Sequence, residues 1–105
     1  MAQIFVIYWR DIPAQVIAES GRGRNRKQAK RELHNRFALA IDEAAMRFGA
    51  DKSDDYLEDW RRGKAVSCTD ALEVEAETLA NQIEHTFNTT KLRNLVANGG
   101  IKRPL

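Results

Sequence analysis

The sequence predicts a small α+β domain in which an N-terminal β-hairpin, with or without a third short strand, packs against three helices. Residues 3–9 are apolar on both alternating faces, and a charged turn with a proline separates them from a second apolar run. Apolar stripes at helical spacing follow further along the chain. At 105 residues, with 43% hydrophobic and 30% charged residues, residues 1–105 are expected to form one globular domain.

The hairpin is expected to run from residue 3 to residue 19. A first strand that is apolar on both faces is typical of one covered on both sides. Residues 10–13 form the expected connection, because Pro13 lacks an N–H and belongs at a turn or at the first position of a strand. This arrangement places Trp9, Arg10 and Asp11 together where the first strand ends.

A basic loop is expected at residues 20–30, leading directly into the first helix. Its basic patch consists of Arg22, Arg24, Arg26, Lys27, Lys30 and Arg31. This patch is interpreted as a solvated face, as a contact for an acidic protein, or as a phosphate contact in nucleic acid. Specific nucleic-acid binding is not expected, because the loop carries no aromatic residue for base stacking. The stripe of the helix that follows is Leu33, Phe37, Ala40, Ile41, Ala44 and Phe48, with Gly49 placed to end it.

A short second helix is expected over residues 51–62. Its apolar face would be Tyr56, Leu57 and Trp60, and Arg61 and Arg62 would close its last turn, where the helix dipole favours cations. Residues 64–68 are either a third strand or a connection.

A long last helix is expected to begin at Thr69 or Asp70, where Asp70 and Glu73 resemble a capping box. Its buried stripe is predicted as Leu72, Ala76, Leu79, Ala80, Ile83 and Phe87. The weak helical stretch that starts at Asn88 is expected to interrupt it before a final apolar turn. Leu92, Leu95 and Val96 form that turn, and residues 99–105 are a tail.

Composition and spacing give no indication of a catalytic residue, a cofactor or a metal ion. His34 and His85 lie on different predicted helices, and no glycine-rich phosphate loop is present. Cys68 precedes a helix start, where a thiol can be activated, but a small buried apolar role is favoured. With one cysteine there is no internal disulfide, and the short N-terminal apolar run is neither a membrane span nor a signal peptide. The net charge is only +2, so the chain as a whole is not a polycation. A cytoplasmic location is expected.

Two Trp-Arg pairs suggest a surface that binds a protein partner. The candidate partner-binding residues are Trp9, Arg10 and Asp11, joined by Trp60, Arg61 and Arg62 if the short second helix folds over the hairpin. Tryptophan and arginine are enriched at interface hot spots, and they offer cation–π and bidentate contacts. The alternative is structural: Arg10 pairs with Asp11, Asp55 or Asp59 and locks the hairpin to the second helix.

Three segments in order resemble the small bacterial virulence factor domain family. They are VIYWRDIPAQV at residues 6–16, AIDEAAMR at residues 40–47 and DYLEDWRR at residues 55–62. The resemblance covers about the first two thirds of the chain, and its YWRDIP run is the most specific part. The basic loop is longer than the family pattern suggests, and the segment after Phe87 has no counterpart in it.

The resemblance implies a small domain that occurs alone in bacteria. In Gram-positive conserved virulence factor proteins it is fused to helical-repeat and iron–sulfur-scaffold-like segments. The family name records a phenotype, so it transfers no catalytic residue. The leading expectation is a non-catalytic cytoplasmic module that binds another protein. The resemblance also leaves open an accessory subunit or small enzyme of corrinoid- and folate-dependent methyl transfer, although the chain lacks a corrinoid-binding Asp-x-His-x-x-Gly motif. Nucleic-acid binding through the basic loop is a weaker alternative.

Overall fold

The computed structural model describes residues 2–21, 23–47 and 59–99, and they form an antiparallel sheet with three helices. The strands are Ala2–Trp9 (β1), Ile12–Ser20 (β2), Lys27–Glu32 (β3), Trp60–Arg62 (β4) and Val66–Cys68 (β5). The helices are Asn35–Arg47 (α1), Leu72–Thr86 (α2) and Thr89–Ala97 (α3), and one 3₁₀ turn spans Gly23–Asn25. The predicted α+β class, with an N-terminal hairpin, is confirmed.

The sheet has the order β3-β2-β1, and β4 and β5 both pair with the remaining side of β1. In the hairpin, Trp9 pairs with Ile12 across a two-residue turn, so the connection is shorter than the expected residues 10–13. Pro13 lies inside β2 opposite Tyr8, and the register shifts by one residue next to it. A proline is tolerated at such an irregularity because one ladder hydrogen bond is already missing.

Both faces of the central hairpin are covered, as the apolar pattern of β1 predicts. Val6 pairs with Val16, and both belong to the main buried cluster. The neighbouring pair, Phe5 and Ile17, points to the opposite face because side chains alternate along a strand. Phe5 is only 4% exposed and Ile17 only 7%. The guanidinium of Arg62 lies 3.8 Å above the Phe5 ring and covers part of this second face.

The predicted basic loop over residues 20–30 is too long, because both of its ends belong to strands. Ser20 ends β2, and β3 begins at Lys27 and pairs along its whole length with β2. Helix α1 consequently begins at Asn35 rather than within the basic segment. Leu33 is buried but lies in the connection, where its N–H donates to the Ala14 carbonyl at 3.2 Å.

The C-terminal part of the predicted second helix is also wrong. Trp60, Arg61 and Arg62 form β4, which pairs antiparallel with β1. The rest of that prediction, with Tyr56 and Leu57, falls outside the described residues. So do Phe48 and Gly49, the predicted end of the first helix.

For the last helical region, the predicted apolar stripe and the predicted interruption near Asn88 are confirmed, whereas the predicted N-terminal capping box is not. Helix α2 begins after Ala71, whose side chain makes no capping hydrogen bond, so the predicted Asp70–Glu73 box is absent. The Glu75 carboxylate instead accepts from the Thr69 N–H at 2.6 Å. At the interruption, the Asn88 side chain caps α3 by accepting from the Lys91 N–H at 2.9 Å.

The core lies between the sheet and the helices, with α2 across β2 and β3 and α1 against α3. Phe37 is 1% exposed and packs edge-on against Phe87, with ring centroids 6.3 Å apart. The predicted final turn is buried through Leu92, Leu95 and Val96. No helix in the described ranges is long and apolar enough to cross a membrane.

Candidate functional site

Strand pairing brings the two predicted Trp-Arg segments together. Trp9 is opposite Trp60, Tyr8 opposite Arg61, and Ile7 opposite Arg62. The predicted proximity therefore holds, but through a sheet rather than through a helix folded over the hairpin.

The two tryptophans lie within the packed part of the fold. Trp9 is 0% exposed and belongs to the main buried cluster. Trp60 is partly buried and packs against that cluster. A ring without exposed surface contributes packing energy and offers no contact area to a partner in this conformation.

Arg10 fastens the hairpin turn to two other parts of the chain. Its Nε donates to Asp59 Oδ2 at 2.9 Å, and its Nη1 donates to the Gly99 carbonyl at 2.5 Å. Its guanidinium also lies 4.7 Å from the Trp9 ring centroid. Arg10 holds a positive φ of 55°, a conformation that disfavours side chains other than glycine. Its side chain is 21% exposed, so the structural alternative, pairing with Asp59, is observed for this residue.

Arg61 is more open and lies on the rim of a cleft. Its Nη2 donates to Asp11 Oδ1 at 3.0 Å, and its Nε donates to the Arg10 carbonyl at 2.9 Å. Its guanidinium stacks 4.4 Å from the Tyr8 ring centroid. The side chain is still 49% exposed. Because neighbouring strand residues alternate, Arg61 faces the opposite side of the sheet from Trp60 and Arg62.

A break in the edge strand separates β4 from β5. Two residues separate Ile4 from Ile7 on β1, whereas three separate their partners Val66 and Arg62, so one extra residue is inserted. At the break, the Gly63 N–H donates to the Val6 carbonyl at 2.7 Å. A Cβ on Gly63 would lie 2.8 Å from Tyr8 Cε2, closer than non-bonded carbon atoms approach. It would also lie 3.0 Å from the Val6 carbonyl oxygen, so any larger residue at position 63 displaces the Tyr8 ring or the backbone.

Beside this break lies a cleft of about 430 Å³, which we call the strand-break cleft. Its apolar wall is formed by Ile4, Val6, Val66, Leu79 and Phe87, and its polar rim by Tyr8, Asp11, Arg61 and Lys64. Val66 is 54% exposed, so it presents apolar surface at the mouth of the cleft. The volume lies within the range of small-molecule and anchor-residue pockets.

The rim of the strand-break cleft is cationic. Lys64 is exposed and forms no ion pair or hydrogen bond with the described residues. Lys91 lies 4.7 Å from the Phe87 ring centroid and adds a cation next to the apolar wall. The carboxylate of Asp11 is already paired with Arg61. The cleft thus combines an apolar wall, exposed at Val66 and partly exposed at Leu79 and Phe87, with a net positive rim.

A second cleft of about 400 Å³ lies on the other side of β4, against α1. Trp60 lines it together with Gln15, Glu32, Asn35 and Asp42. Its described lining has no basic side chain, so it differs in charge from the strand-break cleft. The six predicted partner-binding residues are therefore divided between two sides of the sheet rather than gathered on one surface.

The basic patch is divided in the same way. Arg31 pairs with Glu77 at 3.1 Å on α2, and Arg26 pairs with Glu19 at 3.2 Å. Lys27 and Lys30 are exposed on opposite faces of β3, and Arg24 is exposed on the 3₁₀ turn. Arg22 lies outside the described residues.

Cys68 ends β5 and has the properties of a structural thiol. Burial raises the pKa of the thiol, and the nearby charges of Glu75 and Asp70 raise that pKa further. Such a thiol is mostly protonated near neutral pH and is a poor nucleophile. Within the described ranges, no three His, Cys, Asp or Glu side chains come together as metal ligands.

A family model described as "Virulence factor" matches residues 7–96. The chain belongs to the virulence factor family. The match runs past Phe87 into α3, so it extends further than the resemblance seen in the sequence. Among curated proteins and solved structures, nothing matches the chain.

Sequence reasoning missed two residues of the strand-break cleft in this virulence factor domain: Lys64 and Val66. The sequence alone leaves residues 64–68 as either a strand or a connection, and it places Tyr8 beside Trp9 at the end of the first strand without assigning it to a binding surface. A signal was present, because Gly63 stands between two basic residues and lies three residues before the β-branched Val66. A glycine within a strand pattern often marks a bulge or a close approach.

Proposed function

We propose that this virulence factor domain is a non-catalytic module that binds another protein through the strand-break cleft. The observation that carries the proposal is a cleft whose apolar wall is open at Val66, Leu79 and Phe87 and which has a cationic rim. Apolar surface that stays exposed next to a core, rimmed by polar groups, is typical of interaction sites.

The contacts of the Trp-Arg segments support a division of roles. Trp9 and Arg10 hold the hairpin turn, β4 and the end of α3 together. Arg61 and Asp11 form the exposed end of the same network and reach the cleft rim. Arginine on a preorganised rim binds with less loss of side-chain freedom than a free arginine would.

The proposal is tested by affinity capture with two matched variants in cells of the organism that encodes the chain. Val66 in the cleft and Val74 on α2 are both exposed, at 54% and 63%. Val66→Glu places a carboxylate in the cleft, whereas Val74→Glu makes the same change away from it. Both variants should keep the melting temperature of the unsubstituted protein.

Quantitative mass spectrometry should recover a partner with the unsubstituted protein and with Val74→Glu, and lose it with Val66→Glu. Equal recovery with Val66→Glu would place the interface elsewhere. Recovery of nothing beyond an unrelated control domain would refute the binding role.

A further inference from the structure

We propose that the strand-break cleft takes an acidic peptide segment that inserts one large apolar side chain. This inference rests on the proposed function and names the chemistry of the partner. It follows from the shape of the cleft and from the distribution of charge along its rim.

The apolar wall favours a single anchor. Val66 is exposed at its edge, and Leu79 of α2 and Phe87, which follows α2, also line the wall. Large apolar side chains that fill a preformed pocket carry most of the binding energy at protein interfaces. The volume of the cleft, about 430 Å³, is within the range of ligand pockets and is large enough for one such side chain.

The charged rim of the cleft favours one sign of charge on the partner residues that flank the inserted apolar side chain. Arg61 and Lys64 are exposed on the rim, and Lys91 lies against Phe87 at the wall. The opposite end of β5 is acidic, because Asp70 lies two residues after Cys68 and the Glu75 carboxylate accepts a hydrogen bond from the Thr69 N–H. An acidic residue of the partner is therefore attracted to the Arg61–Lys64 end, and a basic segment is repelled there.

A random peptide library displayed on phage, selected on the purified full chain, tests this inference. Parallel selections use Lys64→Glu, which reverses one exposed rim charge, and Val74→Glu, which adds the same charge away from the cleft. The selected peptides should carry Asp or Glu beside an aromatic or large aliphatic residue. Their affinity should fall by on the order of tenfold for Val66→Glu, as for loss of a hot-spot contact, and stay unchanged for Val74→Glu.

Lys64→Glu should shift the selected peptides toward basic residues while keeping the apolar anchor. Three results would overturn the inference: basic peptides selected on the unsubstituted protein, peptides that bind Val66→Glu equally well, or no enrichment. A self-association seen by sedimentation velocity and abolished by Val66→Glu would also overturn it, because the occupant would then be a second copy. If the cellular partner is lost with Val66→Glu while the peptide result fails, the binding role stands and only the peptide chemistry is wrong.

Discussion

Replacing Arg10 by alanine should destabilise the fold by about 2.5–3 kcal/mol, although Arg10 lies in a two-residue hairpin turn. The hydrogen bond from its charged guanidinium to the Gly99 carbonyl contributes about 1.5 kcal/mol. The ion pair with Asp59 adds about 0.5–1 kcal/mol, since both side chains are partly exposed. The contact with the Trp9 ring adds about 0.5 kcal/mol.

Urea denaturation of Arg10→Ala, with Arg61→Ala as the matched control, measures this loss. Arg61 makes similar contacts but is 49% exposed, so its loss should cost no more than about 1 kcal/mol. Equal costs for the two variants would contradict the division between a structural and a rim arginine. A cost below about 1 kcal/mol for Arg10→Ala would show that the Gly99 and Asp59 contacts contribute little.

Arg10→Gly separates backbone strain from side-chain contacts. Glycine in a regular strand or helix is less stable than alanine by about 0.5–1 kcal/mol. At a φ of 55° that order should be reversed or cancelled, because alanine keeps the left-handed strain and glycine does not. Arg10→Gly should therefore be at least as stable as Arg10→Ala, and a clearly less stable glycine variant would refute the strained turn.

Three further perturbations test the fold and its charged surface. Phe37→Ala should cost about 3–5 kcal/mol in chemical denaturation, and Leu39→Ala, at 58% exposure, less than about 1 kcal/mol; similar values would put Phe37 on the wrong face. Gly63→Ala should cost about 1–3 kcal/mol through the clash with Tyr8, and a neutral result would contradict the close approach. Any binding of DNA or RNA should be without sequence preference and collapse with rising salt; a strong preference at physiological salt would refute this.

The sequence predicted the hairpin because its signal is local and strong. Consecutive residues carry both signals, namely the apolar pattern on both faces of β1 and the turn before Pro13. Phe37 was predicted correctly for the same reason, since its stripe repeats at helical spacing. Asn88 was recognised as an interruption because its side chain competes with the backbone of a helix.

Strand β3 could not be predicted, because the sequence KQAKRE has no apolar alternation and low strand propensity. Its conformation follows from pairing with β2 and from the bond of Arg31 to Glu77 on α2. Charged residues on an edge strand also oppose pairing with other chains. Tertiary contacts therefore overrule local propensity here.

The candidate site was predicted in part. The sequence predicts that Trp9 and Trp60 lie close together. It does not predict that strand pairing brings them together. For Trp60, Arg61 and Arg62, which form β4, the sequence predicts the end of a helix. The reason is that cations before a glycine suit the negative end of a helix dipole. The division of the cluster between two sides of the sheet depends on strand alternation and could not be foreseen from the helical assignment.

A photo-crosslinking amino acid placed at residue 66, and in parallel at residue 74, tests the central claim most directly. Both positions hold exposed valines, so the probe should be tolerated at each. Irradiation in cells of the organism that encodes the chain should yield a discrete protein adduct from residue 66 that is absent from residue 74. Adducts of the same identity and yield from both positions, or from residue 74 alone, would contradict the strand-break cleft as the binding surface.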